Sequence, residues 1–291
     1  MQTDTKSTTR PLGQTNAQVF PIGLGGMPLS LDERPSEKDA IRVIHEAIDL
    51  GVNLIDTANV YCIDDNDIGH NEALIAKALK EKLNSKNVFV ATKGGLKRPK
   101  GAWVTDASPQ ELRKACEKSL KDLDVECIFL YQLHAPDDRI PLEESVEALI
   151  ELKKEGKIQH IGLSNVNQED LSRVLPMTRI ESVQNRCHVQ SKMDIKSGLV
   201  QFCLQNKISY IAYSPVGGHY GHSKLSQLPV LGKIALNHKA STHEIALAWL
   251  LAKSPNILPI PGASKLKSIQ SSVRAAQIIL SQQEVGLLDE I

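Results

Sequence analysis

The chain has 291 residues, with 34 Lys plus Arg against 34 Asp plus Glu, so its formal net charge is zero. A nucleic-acid binder needs a cationic surplus to neutralise phosphates, and this sequence has none. Hydrophobic residues make up 41%, enough for a sizeable core. The longest wholly apolar run, residues 245–252, is far shorter than the roughly 20 residues of a membrane-spanning helix.

The opening residues, MQTDTKSTTR, lack the apolar stretch of a secretory signal. Cys62, Cys116, Cys127, Cys187 and Cys203 are odd in number, widely spaced and without a C-x-x-C pair. The expectation is reduced thiols in the cytoplasm, with neither a structural zinc nor a dithiol redox motif.

In chain order, residues 1–16 are rich in Thr, Gln and Ser and read as a mobile N-terminal segment or the start of a lid hairpin, its second run at 18–20. From residue 22, short apolar runs alternate with helix-compatible stretches. Strands are expected to begin near Ile22, Asn53, Val88, Glu126, Ile158, Ser182, Ile208 and Asn256. Helices are expected over 37–50, 72–83, 109–123, 142–155, 168–175, 196–205 and 242–252. A short extra helix near 229–238 precedes the last of these, and an amphipathic segment over 281–291 closes the chain. Ser36 and Ser108 stand at N-cap positions, with Pro109 at the first helical position and Glu111 three residues after the cap. Gly51 and Gly156 follow helices where a left-handed cap fits.

The strands VFVAT, CIFLYQL and ISYIAYS are apolar almost throughout, as in parallel sheets buried on both faces. Eight strand–helix units predict an α/β fold, a single-domain (β/α)8 TIM barrel over residues 17–291. A doubly wound sheet of six strands leaves two units over. Gly23, Gly25 and Gly26 lack the G-x-G-x-x-G spacing of a Rossmann turn.

Active sites of such barrels lie at the C-terminal ends of the strands. The polar residues after each apolar run are Asp56 and Tyr61, then Lys93, His134, Ser164 and Asn165, Gln184, Tyr213 and Ser214, and the PIPGASK segment around Gly262. Taken singly, each has a bland explanation: a satisfied strand-end carboxylate, a packing aromatic, a turn histidine. Asp56, Tyr61, Lys93 and His134, on three successive strand ends, are chemically complementary. A phenol of pKa about 10 is a poor acid at neutral pH, and a nearby ammonium is expected to lower that value. An aspartate keeps the buried ammonium charged, and a neutral imidazole can donate to a carbonyl oxygen. Tyr61 could then protonate an alkoxide as hydride reaches carbon.

The acidic run of Asp64, Asp65 and Asp67 fails the EF-hand pattern, since Ile68 and Ile75 fall at ligand positions, and it reads as a solvated loop by the pocket mouth. Lys97, Arg98 and Lys100 read as another solvated loop, from which Trp103 is expected to line the substrate mouth.

The contexts NLIDTA–VY, TKGG, LH, IGLSN, VQN, YSP and PIPG follow one another from about residue 19 to residue 291. In these contexts Asp56, Tyr61, Lys93 and His134 resemble the catalytic tetrad of the aldo-keto reductase superfamily. The resemblance implies an NADP(H)-binding barrel and NADPH-dependent reduction of an aldehyde or ketone to an alcohol, with Tyr61 as general acid. It implies that Ser164, Asn165 and Gln184 bind the nicotinamide carboxamide and that Tyr213 stacks on the ring. Ser214, Pro215 and Val216 would cross the pyrophosphate. Gly25, Gly26 and Met27, with Asp56, would lie near the nicotinamide ribose. Gly262, Ser264 and Lys265 would hold the adenosine 2′-phosphate, although Ser268 and Ser272 stand where the family often has a basic residue and an asparagine. Tyr61, His134 and Trp103 are the expected substrate contacts.

The implied partner is a small-molecule carbonyl compound, with no nucleic acid, membrane or metal, and the family default is a monomer. Two alternatives stay open on the same residues: a nicotinamide-sensing regulatory subunit with little turnover, and an alcohol dehydrogenase working in the oxidative direction.

Overall fold

The computed structural model describes residues 9–291, so the portion of the expected mobile segment over residues 1–8 lies outside it, as do the side chains of residues 219, 220 and 222. Eight parallel strands follow one another in sequence order: β1 (Leu24–Gly25), β2 (Leu54–Asp56), β3 (Phe89–Gly94), β4 (Ile128–Leu133), β5 (Ile158–Ser164), β6 (Ser182–Arg186), β7 (Ser209–Tyr213) and β8 (Ile257–Pro259). The sheet closes on itself where Gly25 pairs in parallel with Gly262 and the Gly23 amide donates to the Pro259 carbonyl at 2.9 Å. The seam needs glycine, because a Cβ on Gly25 would stand 2.8 Å from the Ile260 carbonyl oxygen. This is the (β/α)8 barrel expected from the count of units.

The helices between strands are α1 (Glu37–Asp49), α2 (His70–Glu81), α3 (Pro109–Asp122), α4 (Leu142–Lys154), α5 (Gln168–Val174), α6 (Leu199–Gln205), α7 (Thr242–Lys253) and α8 (Leu266–Arg274). Their starts carry the expected caps: Ser36 accepts from the Asp39 amide, and Ser108 accepts from the Glu111 amide. Asn167 and Ser241 form full capping boxes with Asp170 and Glu244. Gly51 and Gly156 adopt φ of 94° and 75° at the ends of α1 and α4. The helix expected over 196–205 is in fact two pieces, Met193–Lys196 and α6, because Gly198 takes φ +86° between them. The extra helix spans Pro229–Asn237, and the chain ends in Gln282–Asp289.

Inside the barrel the lowest layer is apolar: Leu54, Ala91, Leu130, Ile211 and Leu258 pack together, joined by Leu12, Ala17 and Val19. Those last three belong to the hairpin Arg10–Pro11 and Gln18–Val19. It is fastened to the N-terminal strand ends. Arg10 donates to the carbonyls of Leu251, Ser254 and Ile257 at 2.6–2.8 Å, and Gly13 donates to the Ser209 hydroxyl at 2.8 Å. Burial pushes the Arg10 guanidinium down to about 10. Residues 9–16, the described part of the segment expected to be mobile or to start a lid hairpin, therefore belong to a hairpin that plugs the N-terminal end of the barrel.

Candidate active site

Above the apolar layer the barrel interior turns polar. Lys93 on β3 is wholly buried, and its ammonium donates to Asp56 Oδ2 at 2.6 Å, to the Thr57 carbonyl at 2.8 Å and to Tyr61 Oη at 2.9 Å. Asp56 ends β2, and Tyr61 lies in the turn that follows, where its amide donates to the Ala58 carbonyl at 3.1 Å. His134 directly follows β4, with its amide held by the Gly94 carbonyl at 2.8 Å. Its ring meets the Tyr61 ring edge to face at 5.8 Å between centroids. The four side chains thus converge on one rim, as expected.

The charge balance departs from expectation at one point. The phenol of Tyr61 is pushed up from its ordinary value, not down. Burial is the largest cause, since Tyr61 is 7% exposed, and Lys93, which lowers it, is opposed by Asp56. An ammonium paired with a carboxylate at 2.6 Å presents only part of its charge to a third group. Lys93 itself is held above its ordinary value: burial acts downward, but Asp56 and Tyr61 outweigh it. Burial, aided by Lys93, drives the His134 imidazole well below its ordinary range, so it is neutral. Its Nδ1 is buried with no hydrogen-bond partner among the described residues.

The residues expected to hold the cofactor line the same rim. Ser164 closes β5, and Asn165 follows with φ +59°. Asn165 Nδ2 donates to the His134 carbonyl at 2.9 Å, and Tyr213 Oη donates to Asn165 Oδ1 at 2.9 Å. Gln184 reaches from β6 across the lumen and donates to Asp56 Oδ1 at 2.7 Å. Tyr213 is half-buried at the end of β7, and Ser214 after it has φ +49°. Left-handed backbone at two non-glycine residues is strain of the kind that accumulates at ligand sites. Ser214, Pro215 and Val216 lead to Gly217 and Gly218, both also left-handed. Gly26 donates to the Asp56 carbonyl at 2.8 Å, placing Gly25, Gly26 and Met27 beside the end of β2. Gly262, Ser264 and Lys265 run from the barrel seam to the start of α8, whose N-terminus has no side-chain cap and where Lys265 is exposed. The donor set suits an extended dinucleotide: amides and a hydroxyl on β5 and β6, a half-buried aromatic face on β7, and a cation at a helix start.

In the two charged loops after β2 and β3, one residue departs from its sequence reading. Arg98, expected in a solvated loop, is 6% exposed. Its Nη2 donates to the carbonyls of Cys62 and Ile63, and its guanidinium stacks 4.0 Å above the Trp103 ring. Trp103 is 48% exposed on the hairpin after β3 (Leu96–Lys97 and Val104–Thr105), and Arg98 links it to the carbonyls of Cys62 and Ile63. The acidic run is committed to local structure: Asp64 accepts from the Asn66 amide, Asp65 from the Lys100 amide, and Asp67 pairs with Arg34 at 2.6 Å.

Three contributors escaped the sequence reading. Asn71 is wholly buried, donates to the Gly26 carbonyl at 2.9 Å and accepts from Thr57 at 2.6 Å, clipping the β1 loop to the end of β2. Gln132 donates to Asp56 Oδ1 at 3.4 Å. Arg186 leans on the Gly217 carbonyl at 3.3 Å, beside the 214–218 loop. Only Gln132 left a signal, since it lies two residues before His134 and so on the same strand face.

A closed parallel barrel with its ionisable side chains converging on the C-terminal rim is an enzyme architecture of the (β/α)8 class. A profile described as the Aldo/keto reductase family matches residues 21–291, and the chain belongs to that family. A relative from Glycine max named "Probable aldo-keto reductase 1" is 32% identical, with 94% of this chain and 86% of that protein covered. Among solved structures, a thermostable aldo-keto reductase, Tm1743, crystallised with the inhibitor epalrestat, is similar at 31% identity and a TM-score of 0.83, covering 98% of this chain and 99% of that one. An aldo-keto reductase from Klebsiella pneumoniae solved with NADPH is 27% identical with a TM-score of 0.82, covering 98% and 95%. Among the described residues no helix is long and apolar enough to cross a membrane.

Proposed function

We propose that this protein is an NADPH-dependent carbonyl reductase that converts an aldehyde or ketone to the alcohol with Tyr61 as general acid. The observation that carries the reading is the Lys93 ammonium, bonded at once to Asp56 and to the Tyr61 hydroxyl inside a buried rim. Ser164, Asn165, Gln184, Tyr213, the 214–216 segment and Lys265 would hold NADP(H) along the β5–β8 side of the rim, and the cofactor when bound would supply the hydride.

The remaining steps belong to this chain. His134, neutral, donates an N–H to the carbonyl oxygen and fixes its direction. Tyr61 stays protonated at neutral pH because burial holds its phenol up, and it gives its proton to the same oxygen as charge develops there. Lys93 lies 2.9 Å from the phenolic oxygen and stabilises the phenolate left behind. Asp56 keeps Lys93 charged through the cycle. Trp103, at the edge of the Tyr61 turn, forms one wall of the mouth. The five cysteines are all unpaired, four of them buried, which supports a reducing cytoplasmic setting, and a monomer contains every residue invoked here.

The test is Tyr61→Phe. Reduction of a panel of aldehydes is expected to fall by about 10²–10⁴, while NADPH binding, read by fluorescence, stays within a few fold. Undiminished turnover in the variant removes Tyr61 from the role. Tight NADPH binding by the parent protein with negligible turnover on the whole panel favours the sensing subunit instead.

A further inference from the structure

The barrel interior holds an amide that the reading above does not use. Lys93, Gln132, Gly162 and Ser182 stand in register on four consecutive strands. Gln132 and Ser182 are wholly buried. The Gln132 carbonyl oxygen accepts from Ser182 Oγ at 3.1 Å and from Gln184 Nε2 at 3.4 Å, while its Nε2 faces Asp56 Oδ1 at 3.4 Å. Gln184 Nε2 faces the same carboxylate oxygen at 2.7 Å. A carboxylate only accepts, so both amides must turn their nitrogens toward Asp56. Ser182 then has one task, which is to satisfy the Gln132 oxygen that points away.

Space for this arrangement is built into the sheet. A Cβ on Gly162 would come within 2.8 Å of Gln132 Cγ and collide with Ser182 Oγ. The glycine has an ordinary backbone conformation, so room for the two polar side chains is what its missing Cβ provides.

We propose that Gln132 is a positioning residue of the proton-donating group: with Ser182 and Gln184 it holds the Asp56 carboxylate against Lys93. Asp56 Oδ2 meets the ammonium, and Oδ1 meets the two amides. The groups that face Tyr61 are Lys93, Asp56, Tyr213 and His134. Amide dipoles on Oδ1 draw the carboxylate charge away from the phenol and leave the ammonium's influence on it larger. Removing the Gln132 amide weakens Tyr61 as an acid without touching substrate or cofactor. The inference rests on Tyr61 being the proton donor.

Two near-isosteric variants and one spectroscopic readout test it. Gln132→Met removes both amide functions, and its aldehyde reduction at pH 7 is expected to lose about tenfold in kcat, with KM for NADPH within about twofold. Gln132→Glu can donate to Asp56 only while protonated. Its kcat is expected to fall with rising pH through the neutral range where the parent is flat, because a buried carboxyl beside a carboxylate ionises late. Tyrosine labelled at Cζ with carbon-13 reports Tyr61 in the cofactor-free protein, assigned by comparison with Tyr61→Phe. At the alkaline pH where the parent's Tyr61 signal begins to move, the Gln132→Met signal is expected to stay put. Parent-like kcat in Gln132→Met, with the Tyr61 signal moving at the parent's pH, overturns the proposal. So does a Gln132→Glu profile as flat as the parent's in a folded protein. If Tyr61→Phe proves active, the reading of the acid fails, yet the carbon-13 comparison still shows whether Gln132 acts on Tyr61.

Discussion

The Lys93 ammonium lies 2.6 Å from Asp56 Oδ2, in a barrel interior that leaves both side chains almost wholly buried. Removing one partner of such a pair strands the other charge. Lys93→Met is therefore expected to cost about 3–5 kcal/mol of stability, read from the urea midpoint, besides abolishing turnover. Adding Asp56→Leu to that variant should recover much of the stability and none of the activity. A double variant no more stable than the single one would show that Asp56 is not left stranded.

His134 gives a pH dependence of defined sign. Its folded-state pKa lies well below the ordinary 6.5, through burial first and Lys93 second. Above about pH 6.5 neither folded nor unfolded chain binds this proton. Below it the unfolded chain takes the proton and the folded chain does not, so stability is lost as pH falls through that window. Between pH 7.5 and 5.5 the urea midpoint of His134→Gln should decline less than that of the parent. Equal declines would mean that the imidazole titrates at its ordinary value.

Lys265 is exposed at the uncapped start of α8. Lys265→Ala is expected to weaken NADPH binding by about tenfold and NADH binding hardly at all, since only NADPH carries the dianionic 2′-phosphate. The gap should narrow at high salt. Matching losses for both cofactors in fluorescence titrations would remove Lys265 from that contact.

The hairpin at the closed end separates stability from catalysis. Leu12 is wholly buried against Ala17, Val19 and the lowest barrel layer. Leu12→Ala should cost about 2–5 kcal/mol and leave kcat and KM at 25 °C unchanged, because the plug lies at the opposite end from Tyr61. A raised KM for every aldehyde tested would instead couple the hairpin to the mouth.

Particular residues show how far the sequence could be read. The apolar runs at 88–92, 127–133 and 208–214 could be placed without coordinates, because strands buried on both faces tolerate few polar side chains. Asp56, Lys93 and His134 stood out by interrupting or ending such runs. Gln132 interrupted one too, but a single amide beside a histidine has no chemistry until its partners are known. Arg98 read as solvated because it stands in a basic cluster with Lys97 and Lys100, and only the fold stacks it on Trp103.

The sequence by itself determined the number and order of the strand–helix units and the helix caps, since these depend on periodicity and on residues near one another in the chain. The tertiary structure alone decided that Tyr61 is held up by burial more than it is drawn down by Lys93, that residues 9–19 plug the closed end, and that Gln132 and Gln184 meet on one oxygen of Asp56. Burial and charge–charge energies depend on distances between residues up to 128 positions apart, and a linear pattern contains no such distances until the barrel closes.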